Sequence, residues 1–368
     1  MPFKIAVIGA GWYGCHISSS LASLGFKVMV FDRAQRPLHE ASGNNQFRLH
    51  LGFHYARHQG TRQQSRDGFL RFIERYPTLS APIEENIYAV PHGDSLIDFQ
   101  TYKLIMASSG IDFVELKSSP HIHDVEGALS TSERVLLISR ARNYFMERLG
   151  SALILDTPVT SIVQHQDHVE VEGIKFDYLI DASWGQVRTM PLDIFYEPTM
   201  LLYYEAKEKF PAITFVDGPL CSVYPTEDPS IFTLSSVPHT PLGSFSDARE
   251  ARGALTSVTN DLIGQKRRLM EEQIAKNVPQ FRDVFSFAGV QLSMKTKPVG
   301  RSDDRSCYVY QDNRIISVMS GKIDTVFFAT ERILSMLEAQ NSQGAIPVEN
   351  TIRGDIVTAG RVAEWQVK

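Results

Sequence analysis

The chain reads as an α/β protein in which a parallel-sheet domain is interrupted by an antiparallel β-sheet insert. Three observations predict this. The apolar run Lys4-Ile5-Ala6-Val7-Ile8 leads straight into Gly9-Ala10-Gly11-Trp12-Tyr13-Gly14, and a second run, Lys27-Val28-Met29-Val30-Phe31, ends on Asp32. Residues 176–182 and 314–319 have the apolar character of strands buried in a parallel sheet. Between them, over about residues 194–242, aromatic and β-branched runs alternate with Pro and Gly turns, the pattern of antiparallel strands.

The first of these observations is a strand, a glycine-rich turn opening a helix, and a second strand carrying an acid about twenty residues on, the fingerprint of a dinucleotide site. Gly9 permits the tight turn, Gly11 lets the backbone approach a pyrophosphate, and Gly14 lets helix and strand pack closely. The helix N-terminus offers free N–H groups and partial positive charge to phosphates, and Asp32 is placed to accept from a ribose. A polar segment follows at 33–57. Residues 61–76 carry Phe69, Phe72, Ile73 and Tyr76 at helical spacing and stop at Pro77. A strand at 86–90 and a helix at 96–108 come next, then a helix at 139–149 ending at Gly150, and strands at 152–155, 159–163 and 169–172. A charged helix is predicted over 246–277, and after Ser320-Gly321 a final helix over 325–337. Two interleaved sheet styles mean a discontinuous nucleotide domain with an inserted second domain.

Composition bounds the function. With 368 residues, 43% of them hydrophobic, the chain buries a large core, and its net charge of −5 leaves no electrostatic footprint for nucleic acid or a membrane surface. Cys15, Cys221 and Cys307 form neither a CxxC nor a metal spacing. The first apolar run is too short for a secretory core and no later run approaches a membrane span. The expectation is a soluble, cytoplasmic protein of undetermined oligomeric state.

The order of these pieces resembles the flavoprotein family of D-amino-acid oxidase, glycine oxidase and monomeric sarcosine oxidase over about residues 3–340. Four blocks carry the resemblance: Gly9 to Gly14 with Asp32; Ala41-Ser42-Gly43-Asn44-Asn45-Gln46-Phe47-Arg48; Pro158-Val159-Thr160-Ser161-Ile162 with Tyr178-Leu179-Ile180-Asp181-Ala182-Ser183-Trp184; and Pro298-Val299-Gly300-Arg301 through Ser320-Gly321. It implies non-covalent FAD in place of NAD. It further implies a Rossmann-like FAD-binding domain formed by residues 1–78, 133–190 and 298–345, a substrate domain formed by 79–132 and 191–297, and a tail at 346–368. By the resemblance, the cofactor is held by Gly9, Gly11, Trp12, Tyr13, Gly14, Asp32, Arg33, Ser42, Asn44, Asn45, Val159, Ala182, Ser183, Trp184, Gly321, Lys322, Ile323 and Asp324. From the residues alone, Val159 is equally an ordinary core position, and Asn44 and Asn45 are equally turn residues.

The segment Phe47 to Tyr55, if extended, places Phe47, Leu49, Leu51 and Phe53 on one side and Arg48, His50, Gly52 and His54 on the other. That second face suits an anionic ligand, and without an acidic partner in the segment His50 and His54 are not expected to bind a metal. Arg48, His54, Tyr55, Tyr224 and Arg301 are the expected substrate contacts, with Tyr203 and Tyr204 further candidates for the pocket wall. Arg48, His50, Arg301 and Lys322 are expected at the chemistry. Arg301 stands where relatives place a carboxylate-binding arginine, and it is also a plausible surface residue beside Asp303, Asp304 and Arg305. Lys322 replaces a glycine of the family's terminal run and either faces the flavin or points to solvent. The resemblance implies hydride transfer to flavin from the C–N bond of an amino acid or secondary amine. Alternatives are a 2-hydroxy acid, a lyase or tailoring step on an amine carried by a larger molecule, and a non-catalytic flavin-binding protein.

Overall fold

The structure, a computed structural model, describes residues 3–300 and 304–343. Its organising sheet has six strands in the order Tyr308–Asp312, Ile315–Met319, Tyr178–Asp181, Lys4–Ile8, Lys27–Phe31 and Leu153–Ile154, all parallel apart from the first. The helices Trp12–Ser23 and Val326–Gln343 pack beside it, with Ile17, Leu21, Ile333 and Leu337 buried in the shared core. The sheet therefore delivers the C-terminal ends of its central strands, the glycine turn after Ile8 and the turn after Met319 to one edge, where open α/β sheets bind ligands.

The second large sheet has eight strands in the order Phe285–Pro298, Ile194–Ala206, Ile231–Ser236, Cys221–Pro225, Ala212–Phe215, Asn86–Pro91, Val125–Ser130 and Val114–Leu116. It is antiparallel except where Ala212–Phe215 runs parallel to Asn86–Pro91. Its two longest strands pair over most of their length, from Ile194 with Pro298 to Ala206 with Phe285. Two three-stranded sheets complete the fold. One joins Ile162–Gln164, Val169–Val171 and Ile174–Phe176, and the other joins Arg48–Leu49, Arg134–Leu136 and Ser80–Pro82.

Several expectations are refined. The run 176–182 divides: Ile174–Phe176 closes the small antiparallel sheet, and only Tyr178–Asp181 enters the parallel one. Asp177 makes the break, because its N–H donates to Lys4 O at 2.8 Å and its carboxylate accepts from Lys4 N–H at 2.6 Å. At 159–163 the ladder starts only at Ile162, since the N–H groups of Thr160 and Ser161 donate to the Glu172 carboxylate. The charged helix is two, Ala248–Thr256 and Asn260–Asn277, each started by its own side-chain cap, Asp247 and Thr259. The strand Phe285–Pro298 had no counterpart in the sequence reading. Its polar Gln291, Ser293 and Thr296 are buried, which hides the apolar alternation that marks a strand.

The helix Gln59–Arg75 supports the turn after Met319 at a point of close approach, because a Cβ on Gly68 would lie 1.9 Å from Asp324 O. Gly68→Ala therefore forces the helix away from that turn. It is expected to cost about 1–3 kcal/mol, as overpacking does, read as a lowered thermal midpoint. A midpoint equal to the parent's would show that the two elements are not in rigid contact.

Candidate active site

A cavity of about 1040 Å³ runs from the glycine turn, beneath the eight-stranded sheet, to the segment around Asp217. At one end, Gly9 has φ +100 and a Cβ there would lie 2.8 Å from Ala182 O, so only glycine permits both this turn and the neighbouring strand end. Gly14 lies just below, where a Cβ would fall 1.7 Å from Gly9 O. Ser42 Oγ accepts from Trp12 N–H at 3.0 Å at the start of the helix. Asp32 accepts from Ala10 N–H at 2.6 Å and from Ala34 N–H at 2.8 Å, which fixes its carboxylate beside the turn. Arg33 and Arg252 both bind Glu40 and Gln186 along this wall. Val159, Ala182, Ser183 and Trp184 line the same end. This end of the cavity is a cradle that sets helix N–H groups suited to an anion beside an acid suited to a ribose.

Beneath the roof, Arg48, His50, His54 and Tyr55 line the cavity. The chain here is not extended. Only Arg48–Leu49 is a strand, and Gly52, at φ +118, bends the segment. The two-sidedness survives the bend, because Phe47, Leu49 and Phe53 are buried in apolar clusters. The acidic partner missing from the segment is supplied from far along the chain by Glu133. Its Oε2 accepts from Tyr88 OH at 2.6 Å and lies 4.0 Å from Arg48 Nε. Its Oε1 accepts from Leu51 N–H at 2.8 Å and lies 3.7 Å from His50 Nδ1. Arg48 Nη1 donates to Tyr88 at 2.6 Å, and the guanidinium stands 4.1 Å from the Tyr224 ring centroid. Burial would raise the Glu133 carboxyl, but His50, Arg48 and Tyr88 together hold it below the ordinary range. Burial lowers His50 to about 4, only partly offset by Glu133, and lowers His54 well below the ordinary imidazole value. The pair is therefore uncharged at neutral pH, and the positive charge on this wall belongs to Arg48. Three polar atoms, Arg48 Nη2, His50 Nδ1 and His54 Nδ1, are buried without a hydrogen-bond partner among the described residues. Orphaned polar groups on a cavity wall call for a ligand.

The turn after Met319 completes the floor. Tyr13, on the first helix, accepts from Gly321 N–H at 2.9 Å and has Lys322 O at 2.9 Å and Thr325 Oγ1 at 2.6 Å. That locks Gly321, Lys322 and Ile323 at the cavity and sets the Lys322 ammonium 4.8 Å from the centroid of the Tyr55 ring, so Lys322 faces inward. Asp324 points away from the cavity and is fully buried, and burial pushes its carboxyl up to about 7.

The structure thus brings together Gly9, Gly11, Trp12, Tyr13, Asp32, Arg33, Ser42, Asn45, Arg48, His50, His54, Tyr55, Val159, Ala182, Ser183, Trp184, Gly321, Lys322 and Ile323. Gly14, Asn44, Tyr224 and Asp324 do not reach the cavity. Asn44 donates to His39 O at 2.9 Å, and Tyr224 stacks behind Arg48 with its hydroxyl on Arg134 O. Tyr203 bonds Gln291 and Tyr204 bonds Glu271, both away from the wall. Arg301 lies outside the described residues. Sequence reasoning missed Glu133 and Tyr88. It also missed Lys295, a cavity residue on the long strand, which burial and the neighbouring Lys297 lower to about 8. Two ion pairs at the wall were missed as well, Lys297 with Glu197 at 2.6 Å and Arg57 with Asp217. The one usable signal for Lys295 was its place in the alternation Ser293, Lys295, Lys297.

These features define a flavin-type dinucleotide enzyme with a buried, cation-lined pocket next to the cofactor cradle. The chain belongs to the FAD dependent oxidoreductase family, whose sequence model matches residues 4–311. It is 56% identical over 341 residues to the FAD-dependent monooxygenase FPY4 of Fusarium mangiferae, an alignment covering 92% of each chain. It is 26% identical to the FAD-dependent monooxygenase kojA of Aspergillus flavus, covering 97% of this chain and 91% of that one. Among solved structures, glycine oxidase from Geobacillus kaustophilus matches the fold with a TM-score of 0.71 at 13% identity, over 92% of this chain and 95% of that one. The chain is accordingly an FAD-dependent oxidoreductase, and the expected Rossmann-like α/β architecture holds. No helix among the described residues is long and apolar enough to cross a membrane.

Two predictions follow from this geometry. A Cβ on Gly11 would lie 2.8 Å from Ser42 Oγ, so Gly11→Val displaces the group that caps Trp12 N–H and fills the cradle. The purified variant should lose its flavin absorbance while keeping its far-ultraviolet circular dichroism. The second concerns acid. The folded values of His16, about 3, and of His50 and His54 lie below the ordinary 6.5, so the unfolded chain binds more protons and stability falls as pH drops from 6.5 toward 4. Asp324, raised to about 7, works the other way, gaining protons on folding between 3.8 and 7. Thermal melts of Asp324→Asn across that range should therefore show a steeper acid loss than the parent's, and an equal slope would remove Asp324 from the balance.

Proposed function

We propose that the chain is an FAD-dependent monooxygenase acting on a small acidic substrate, a carboxylate or an enol. The observation that carries this is the charge on the cavity wall. Lys295, Lys322 and the open Nη2 edge of Arg48 face the pocket, the acids around them are each matched by a cation, Glu133 by Arg48, Glu197 by Lys297 and Asp217 by Arg57, and the lysines add positive charge to the wall. A pocket of that sign repels ammonium groups and attracts anions. The description of the 56% identical Fusarium relative as a monooxygenase supports oxygen transfer as the chemistry.

In this reading the cradle of Gly9, Gly11, Ser42 and Asn45 holds the FAD pyrophosphate. Asp32 takes a ribose, Val159 walls the adenine, and the Gly321 to Ile323 turn meets the flavin. When bound, FAD supplies the redox chemistry and oxygen activation that no side chain provides. The protein's own residues bind and orient the substrate. Arg48, with one donor orphaned, offers a directed N–H to a substrate oxygen, and its guanidinium is held in plane by Tyr88 and Glu133. His50 and His54, being neutral, offer hydrogen bonds to a substrate oxygen without adding charge to the wall. Lys295 exchanges a proton near pH 8 at the far side of the pocket.

A second reading, oxidation of the C–N bond of an amino acid or secondary amine, is favoured by Arg48 as a carboxylate anchor and by two neutral imidazoles that leave room for an uncharged amine beside it. Turnover under ¹⁸O₂, with and without a nicotinamide donor as reductant, separates the two. Label in the organic product supports the monooxygenase. Unlabelled imine or keto product with one peroxide released per turnover replaces it with the oxidase reading.

Three outcomes are expected. Acid precipitation should release the yellow colour into the supernatant, and colour retained in the pellet would mean a covalent flavin. Arg48→Lys keeps the charge but loses the planar fork, and should raise the concentration of anionic substrate for half-maximal turnover about ten- to a hundredfold, with neutral analogues little affected. Because Lys295 is charged below about pH 8 and neutral above it, apparent affinity for an anion should fall as pH rises through 8. In Lys295→Met that dependence should flatten, as measured by half-saturation across the range.

A further inference from the structure

Far from the cavity in sequence role, the turn that joins Ile162–Gln164 to Val169–Val171 gathers three metal-ligating side chains. His165 N–H donates to His168 O at 2.9 Å and closes the turn, so the two imidazoles stack with ring centroids 4.3 Å apart. Glu170, the second residue of the returning strand, puts Oε1 at 3.3 Å from His168 Nε2 and 3.8 Å from His165 Nε2. Two ligands each about 2.0–2.1 Å from a tetrahedral ion stand about 3.3 Å apart, so His168 and Glu170 already have the spacing of a ligand pair, and His165 joins them once its ring turns out of the stack and its lone pair converges on the same ion. Asp167 adds the outer support that metal-bound histidines require. Its Oδ1 lies 2.6 Å from His168 Nδ1, which fixes the proton on Nδ1 and leaves Nε2 with its lone pair toward Glu170.

We propose that His165, His168 and Glu170 form a surface site for a divalent transition metal of the zinc class, with Asp167 orienting His168. Two imidazoles and one carboxylate exclude calcium and magnesium, which demand oxygen ligands. The His168 side chain is 13% exposed, whereas His165 and Glu170 are each 40% exposed, so the fourth position opens to solvent. The cations nearby do not compete for the ligand atoms. Lys175 pairs with Asp167 Oδ2 at 3.9 Å, and Arg314 donates to Gln166 O at 3.1 Å and steadies the turn. The hairpin connects through Glu172 to the N–H groups of Thr160 and Ser161, next to Val159 on the cavity wall. Metal binding therefore clamps the hairpin that backs the nucleotide end of the cavity, and stabilises the fold by mass action.

The test is titration of the FAD-loaded protein with Zn²⁺ in competition with a chromophoric chelator. One equivalent should bind in the micromolar range or tighter and raise the thermal midpoint. His165→Ala and His168→Ala should each weaken binding at least tenfold and abolish the shift in midpoint, and Asp167→Asn should weaken it about tenfold to a hundredfold, as loss of an orienting carboxylate does. Co²⁺ in place of Zn²⁺ should give the visible absorption of a tetrahedral site in the parent and not in the histidine variants. All three positions lie at the surface, and an unchanged flavin spectrum confirms that each variant is folded. Zn²⁺ binding of equal affinity in the His165→Ala/His168→Ala double variant, or none in the parent, overturns the proposal.

Discussion

The cavity wall formed by Arg48, His50 and His54 depends on one buried negative charge, that of Glu133. Glu133 is 1% exposed, and a carboxylate in that position is tolerated only because Arg48, Tyr88 and the Leu51 N–H surround it. The dependence is mutual, since Arg48 is 5% exposed and would be an unpaired buried cation without the acid. What the pair achieves is orientation. Tyr88 bridges both partners, the ring of Tyr224 backs the guanidinium, and one N–H edge of Arg48 is left free for a ligand. A charge balanced within the wall also lets burial govern His50 and His54, which stay neutral beside it.

A second constraint ties the two ends of the chain. The Tyr13 hydroxyl belongs to the first turn of the first helix, yet its partners are Gly321, Lys322 and Thr325. One phenol thus couples the helix that follows the glycine turn to the turn that carries Lys322, so these two walls of the cavity cannot shift independently. Gly68, packed on Asp324 O, holds the same turn from behind. Rigid placement of this kind is what a cofactor enzyme contributes, since its cofactor performs the redox step.

Membership of the FAD dependent oxidoreductase family fixes the cofactor and leaves the substrate to the pocket. Here the pocket differs in character between its ends. The end at the glycine turn presents backbone N–H groups, Asp32 and the paired Arg33 and Glu40, whereas the other end gathers Arg48, Lys295 and Lys322 beneath a roof that includes Ser222 and Ser235. Gln46 reaches that roof by exchanging hydrogen bonds with Ser222, so the loop over the cofactor and the eight-stranded sheet are stitched together there.

The sequence alone determined the strand, turn, helix and acid from Lys4 to Asp32, because that motif is local and each glycine answers a backbone need within a few residues. It also placed buried strands within 176–182 and 314–319, where burial on both faces leaves a largely apolar run, and put Arg48, His50 and His54 on one polar face. Only the tertiary structure decided what that face means. Glu133 lies 85 residues from Arg48 in sequence, and no periodicity links an acid on one element to an arginine on another. Lys295 was hidden for a related reason: its strand buries Gln291, Ser293 and Thr296 against polar partners, so hydropathy registers a solvated segment where the fold builds a wall. Local propensity and pattern act over a few residues, whereas the pairing of buried charges is settled by which elements the long-range packing brings together.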